Sequence, residues 1–379
     1  MKKFISIMLA AVMSISMCAC GENSFSGNDV QIGKGNESAK SSSDKADAKE
    51  KYGSDTLKFF NWGEYIGEDT IANFEEEYGV KVVCDYFDSN EMMYTKLAAG
   101  ESYDVIVPSD YMIERLISEE FLQPIDKSLI PNMEYLCDSL KNLDYDPDNT
   151  YSVPYFWGSV GLVYNKNNVD KAEIEKKGYE ILRDEKYKGK IYIYDSERDA
   201  FMTAFKALGY SMNTEDENEI NEAYEWLKSV NDTMEPAYVT DEVIDAMANE
   251  NKDIAVVYSG DAAYVLNENE NMDFIMPNEG TNIWSDAMVI PKNAENPKLA
   301  HEFMNYILTH DASYDNSITV GYSSSNKEVL DELSSENGEF YGNSAYIPRE
   351  NYEKDEIFHD NEVLRKKLSE LWIKVKAAT

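Results

Sequence analysis

Trp284 and Asp286 stand two residues apart in the stretch GTNIWSDAMVIP, which runs from Gly280 to Pro291. In an extended chain that spacing puts a large ring and a carboxylate on one face. The AMVIP half reads as a buried strand closed by a proline, so the acid lies beside a hydrophobic core. A carboxylate there is costly unless something positive meets it. Other segments repeat the mixture of rings, acids and hydroxyls. FFNWGEY supplies Trp62 and Tyr65, VPSDYM supplies Ser109 and Tyr111, and YDSERDAF supplies Ser196 and Asp199. VVYSGDAAY supplies Tyr258 and Asp261, and TVGYSSSN supplies Tyr322.

A pocket built from these side chains suits an alkylammonium. Each ammonium takes a carboxylate as a charge-assisted acceptor, worth about 1.5–3 kcal/mol. Cation–π contact over Trp or Tyr adds about 0.5–2 kcal/mol once water is excluded. The methylenes between two amines need apolar ring faces, at about 0.8 kcal/mol per buried CH₂. An α,ω-diamine uses all three at once. A sugar needs mostly neutral hydrogen-bonding groups, an anion needs Arg or helix N-termini, and an iron site needs clustered Tyr or His.

Each residue also has a purely structural explanation. Ser196 and Asp199 form an S-x-x-D pattern that caps a helix. Asp261 follows Ser259 in a first helical turn, where an acid complements the helix dipole. Trp62 and Tyr65 fit a core, Tyr111 and Tyr322 are weak signals alone, and Asp286 fits an internal salt bridge beneath a structural Trp284. The functional reading rests on the whole set falling at the edges of elements.

Those elements alternate. TLKFFNW reads as a strand, and Glu68 to Tyr78 carries Ile71, Phe74 and Tyr78 at helical spacing before Gly79. VKVVCDYF is a second strand. DVIVPS, KIYIYD and DIAVVYS are further strands, each followed by a helical pattern: MIERLISEEFL, DAFMTAFKALGY and GDAAYVLNEN. Strand–helix alternation with hydrophobic strands predicts an α/β fold with largely parallel sheets. Such sheets bind ligands at the carboxyl ends of their strands, where Ser109, Tyr111, Asp199 and Asp261 fall.

The 72 acidic and 35 basic side chains among 379 residues give a formal net charge of -37. That excludes a basic footprint for nucleic acid and electrostatic docking on anionic lipid, and it fits a cationic ligand. Residues 1–19, with Lys2, Lys3 and an apolar run from Phe4 to Met17, read as a signal peptide too short to span a membrane. Ala19-Cys20 resembles a bacterial lipoprotein cleavage box, making Cys20 the expected lipid-bearing N-terminus; ordinary cleavage nearby is the alternative. Residues 20–53 are polar and Gly/Ser-rich, a flexible tether. Cys84 and Cys137 are expected as free thiols, and no spacing predicts a metal site or a cofactor.

The segments FFNWGEYIGEDTIANFEEEYGVKV, SNEMMYTKLAAGESYDVIVPSDYMIERL, YSVPYFWGSVGLVYN, KALGYS and NIWSDAMVIPKNAENPKLAHEFMNYIL closely resemble the spermidine/putrescine-binding proteins of bacterial ABC transporters. The likeness runs from about residue 56 to the C-terminus. It implies a two-lobed periplasmic-binding-protein-like fold of type II, with the ligand in a cleft between lobes joined by crossover strands. Lobe 1 is then 54–160 with about 286–335, and lobe 2 is 161–285 with about 336–379. By resemblance, Trp62, Tyr65, Ser109, Tyr111, Tyr258, Trp284 and Tyr322 line the polyamine slot. Asp286 takes the central amine-binding position and Asp199 that of an end-binding Glu. The chain departs from the family where Ser196 replaces a second carboxylate and Tyr258 a more usual Trp. Asp261 matches the putrescine-type pattern, which tilts the expectation to putrescine over spermidine.

The expected function is capture of a polyamine by lobe closure and delivery to a membrane permease by a monomer anchored outside the cytoplasm through its lipid. Three alternatives stand beside it: a binding protein for another solute, a surface sensor or adhesin, and a lipoprotein enzyme. The last has no nucleophile elbow, HExxH or Ser–His–Asp order to support it.

Overall fold

The computed structural model describes residues 47–240 and 242–377. The expected signal peptide, Cys20 and most of the tether lie outside the described residues. The tether's expected end at residue 53 needs correction. Residues 47–52 are helical, and Ala48 and Tyr52, one helical turn apart, are buried in a core with Leu57, Phe59 and Phe74.

Among the described residues, ten strands form one curled sheet: β1 (Thr56–Trp62), β2 (Lys81–Phe87), β3 (Val105–Ile106), β4 (Ser152–Asn165), β5 (Ile191–Tyr194), β6 (Ala237–Val239), β7 (Ile254–Tyr258), β8 (Met272–Ile275), β9 (Ile283–Val289) and β10 (Ser323–Ser324). The path is β2-β1-β3-β9-β4-β7-β5-β6, with β8 and β10 also pairing to β4. At its two ends the sheet is parallel, β1 beside β2 and β3, and β5 beside β6 and β7. The predicted βα alternation is therefore present in both halves. The middle is antiparallel, contrary to the expectation of largely parallel sheets: β4 runs against β7, β8, β9 and β10, and β9 runs against β3.

The reason lies in β4. Its first half pairs with β9 and β10, and from Val160 onward it pairs with β7 and β8. One strand thus belongs to both halves, and β9 runs back beside it. All fourteen of its residues are buried, which a strand covered on both faces requires. Its glycines mark close approaches: a Cβ on Gly158 would lie 2.4 Å from the Trp284 ring, and one on Gly161 would lie 2.3 Å from Phe274. This is the two-lobed α/β arrangement, with the crossing strands between the lobes.

The sequence signals at the helix ends operate as expected. Gly79, with φ 66°, closes the helix Thr70–Tyr78, and Ser196 caps the helix Glu197–Leu208. Cys84 and Cys137 are free.

Candidate functional site

Trp62 at the end of β1, Tyr258 at the end of β7, Trp284 and Asp286 in β9, and the starts of the helices Asp110–Ser118, Glu197–Leu208 and Ser259–Glu268 carry the expected side chains. Asp286 lies in β9, 7% exposed, and its Oδ2 accepts a 2.8 Å hydrogen bond from Tyr65 Oη. Ser109, at the N-terminus of the helix Asp110–Ser118, pairs with Asp286 through an isolated antiparallel bridge. Burial pushes the Asp286 carboxyl up to about 6, against the pull of the Ser109 and Tyr65 hydroxyls. Burial and the neighbouring acid raise Tyr65 well above the usual phenol range, so it stays a donor. Among the described residues, no Lys, Arg or His forms an ion pair with Asp286. The salt bridge considered from sequence is not made.

Trp284, two residues before Asp286, begins a row of rings. Its indole meets Tyr322 edge-on at 4.8 Å and Tyr258 at 6.3 Å, and Tyr322 lies 5.9 Å from Tyr65. The row therefore returns to the tyrosine that holds Asp286, and ring and acid do share one face of β9. Tyr322 lies against the backbone of Gly260, where a Cβ would come within 2.3 Å of the ring. The start of the helix Ser259–Glu268, with half-buried Asp261 in its first turn, lies at the same place. The Trp284 Nε1–H is enclosed and has no hydrogen-bond partner.

At the other end of the row, Tyr258 Oη donates to Asp199 Oδ2 at 2.6 Å. Asp199 is 4% exposed, and its Oδ1 has no partner. Ser196 does what the S-x-x-D pattern allows structurally: its Oγ accepts from the Asp199 N–H at 3.5 Å as a helix cap. Trp62 is half-buried, its Nε1–H on Val107 O at 2.9 Å and its ring 4.5 Å from Phe87. Tyr111 donates to Glu91 Oε1 at 3.3 Å, and one face of its ring is covered by the Arg198 guanidinium.

Two residues here escaped the sequence reading. Arg198 sits between Ser196 and Asp199 in YDSERDAF, and Asp110 between Ser109 and Tyr111 in VPSDYM. Asp110 is buried, takes the Tyr111 N–H at 2.7 Å, and lies close enough to Asp286 to feel its charge. Burial first, and that charge as well, push Asp110 up to about 7. The signal for both was a charged residue inside an already chosen segment.

Residues 69–341 match the profile of a family described as bacterial extracellular solute-binding protein. The chain belongs to that family. The spermidine/putrescine-binding periplasmic protein of Salmonella typhimurium is 34% identical over 284 residues, covering 74% of this chain and 81% of that one. The putrescine-binding periplasmic protein PotF of Escherichia coli is 31% identical over 299 residues, covering 74% and 80%. Among solved structures, the spermidine/putrescine ABC transporter substrate-binding protein PotD of Streptococcus pneumoniae superposes with a TM-score of 0.74 at 34% identity, covering 86% of this chain and 99% of that one. A putative spermidine/putrescine ABC transporter protein from Listeria monocytogenes gives 0.75 at 34% identity, covering 86% and 100%. Among the described residues, no group of three or more His, Cys, Asp and Glu is placed to hold a metal, and no helix is long and apolar enough to cross a membrane.

Proposed function

We propose that this protein binds a polyamine, of the putrescine class before spermidine, and hands it to the permease of an ABC transporter. The observation that carries this is Asp286: a buried acid, under a row of aromatic rings, with hydroxyl donors but no protein cation against it. An alkylammonium supplies the missing charge, and the rings of Trp284, Tyr322 and Tyr258 pack on its methylenes. Asp199 takes the second ammonium through its unpartnered Oδ1. Tyr65, Ser109, Trp62, Tyr111, Ser196 and Asp261 complete the walls of the slot. The names of the relatives at 31–34% identity agree with this ligand class.

Binding and closure are one event in this reading. The lobes are 54–160 with about 286–335, and 161–285 with about 336–379; support for that division comes from the exchange of partners by β4 at Val160. Ligand contacts from both lobes favour the closed state, and a micromolar affinity corresponds to about -8 kcal/mol, enough to bias a hinge. The monomer acts outside the cytoplasm, held to the membrane by a lipid on Cys20.

Calorimetry of the purified chain against putrescine, spermidine, amino acids and sugars tests the ligand class. The expected result is micromolar or tighter binding of at least one polyamine and none of the others. Binding of a sugar or amino acid in preference to both polyamines rejects it.

A further inference from the structure

The stretch of chain before the C-terminal helix crosses from one proposed lobe to the other. Glu356 is fixed on the side of the second lobe. Its N–H donates to Thr281 O at 3.0 Å and its carbonyl accepts from the Ile283 N–H at 2.9 Å. Its carboxylate takes the ammonium of Lys206, which is 2% exposed, and the Ser211 hydroxyl at 2.6 Å. Asn213 holds the next residues, its Nδ2 donating to Ile357 O at 2.8 Å and its Oδ1 accepting from the His359 N–H at 3.0 Å. One residue later the anchor changes sides. The Asp360 N–H donates to Glu114 Oε2 at 2.7 Å, and His359 Nδ1 lies 3.3 Å from the same oxygen. Glu114 belongs to the helix Asp110–Ser118, one turn beyond Asp110 and Tyr111. Its neighbours four positions away on that helix are Asp110 and Ser118, so its own helix offers it no cation.

We infer that Glu114 is the catch of the closing lobes, a positioning residue that holds the helix Asp110–Ser118 against the segment His359–Asp360 once the cleft is shut. This rests on the proposed capture of a polyamine by lobe closure and deepens it. The helix carries Ser109 and Tyr111 at its start, so fixing its far side fixes one wall of the slot. An N–H donating to a carboxylate is charge-assisted and stronger than a neutral hydrogen bond. Glu114 itself stays clear of the ligand. A contact made only in the closed form favours every ligand equally, because it acts on closure and not on recognition. It slows escape and leaves entry alone, since a ligand enters the open form.

Stopped-flow fluorescence and calorimetry of the whole chain, with putrescine and spermidine, test this in wild type, Glu114→Ala and Glu114→Gln. Glu114→Ala is expected to raise the off-rates of both amines by about tenfold, the size of one charge-assisted hydrogen bond, with on-rates unchanged. Glu114→Gln keeps an acceptor oxygen without its charge and should lie between, at about threefold. Should Glu114→Ala fail to fold, Glu114→Gln carries the same test. The ratio of the two affinities should not move. The melting temperature of the ligand-free protein should not move either, since the open form does not make the contact. Unchanged off-rates, with or without a lower ligand-free melting temperature, overturn the assignment and leave the polyamine reading standing. A changed ratio also overturns it, because Glu114 then acts on the ligand and not on closure. Wild type that binds neither amine overturns both.

Discussion

The two carboxylates of the cleft are held alike and charged differently. Asp286 accepts Tyr65 at 2.8 Å and Asp199 accepts Tyr258 at 2.6 Å, and both acids are buried. Beside Asp286, however, stands another acid, Asp110, on which Arg198 acts more weakly than burial and Asp286 do, whereas Arg198 directly precedes Asp199 in the chain and feels its charge. Asp286 makes no ion pair with a protein cation among the described residues, while Asp199 has a guanidinium on the neighbouring residue. The tyrosines cannot make up the difference, because a neutral hydroxyl donates a hydrogen bond but brings no charge. Under the proposed function the two acids therefore contribute unequally to an amine, Asp286 more than Asp199.

The largest effect should therefore come from Asp286→Asn. Loss of one fully desolvated charge-assisted contact, at about 3 kcal/mol, lowers putrescine affinity by about 100-fold. The same substitution should make the ligand-free protein more stable at neutral pH. Holding a buried acid ionised when its carboxyl prefers a proton up to about 6 costs about 3 kcal/mol, which a neutral amide of the same shape avoids. A higher melting temperature together with lost binding is the signature of a site residue; a lower melting temperature would make Asp286 a structural acid. Asp199→Asn should weaken putrescine less, by about 10- to 30-fold, because Arg198 already neutralises part of that charge. Equal losses at the two positions, measured by calorimetry, would break the asymmetry.

What the sequence made legible follows the same line between local and distant causes. Trp284 and Asp286 were readable because a two-residue spacing in a strand fixes a shared face, and β9 keeps it. Ser196 was readable as a cap from S-x-x-D, and Gly79 as a helix stop. The antiparallel centre of the sheet was not, because β4 gives no sign in its own composition of pairing with four different strands. The helical stretch at 47–52 was hidden inside a polar region, since only Ala48 and Tyr52 are apolar contacts there. Arg198 was passed over for a related reason. Its meaning depends on Tyr111, 87 positions earlier in the chain, whose ring it covers only in the folded protein.

The smallest effect, and the one that sharpens the comparison most, is that of pH. Burial raises Asp286 to about 6 and Asp110 to about 7. For an acid whose folded pKa lies above its unfolded value, the stabilising contribution is fully present below the unfolded pKa, near 4, and is lost as pH rises through the folded one. These two acids should accordingly cost the ligand-free protein stability as pH rises from about 4 to about 7. A polyamine is fully charged throughout that range and prefers the ionised carboxylate, so its affinity should rise as pH rises through about 6, by up to tenfold between pH 5 and pH 7.5. The increase in melting temperature caused by putrescine should likewise be larger at pH 7.5 than at pH 5. Asp286→Asn should flatten the affinity profile, and Asp199→Asn should leave its slope intact. A wild-type affinity that does not change with pH, or a slope that survives in Asp286→Asn, would show that Asp286 is not the end of the cleft that waits for charge.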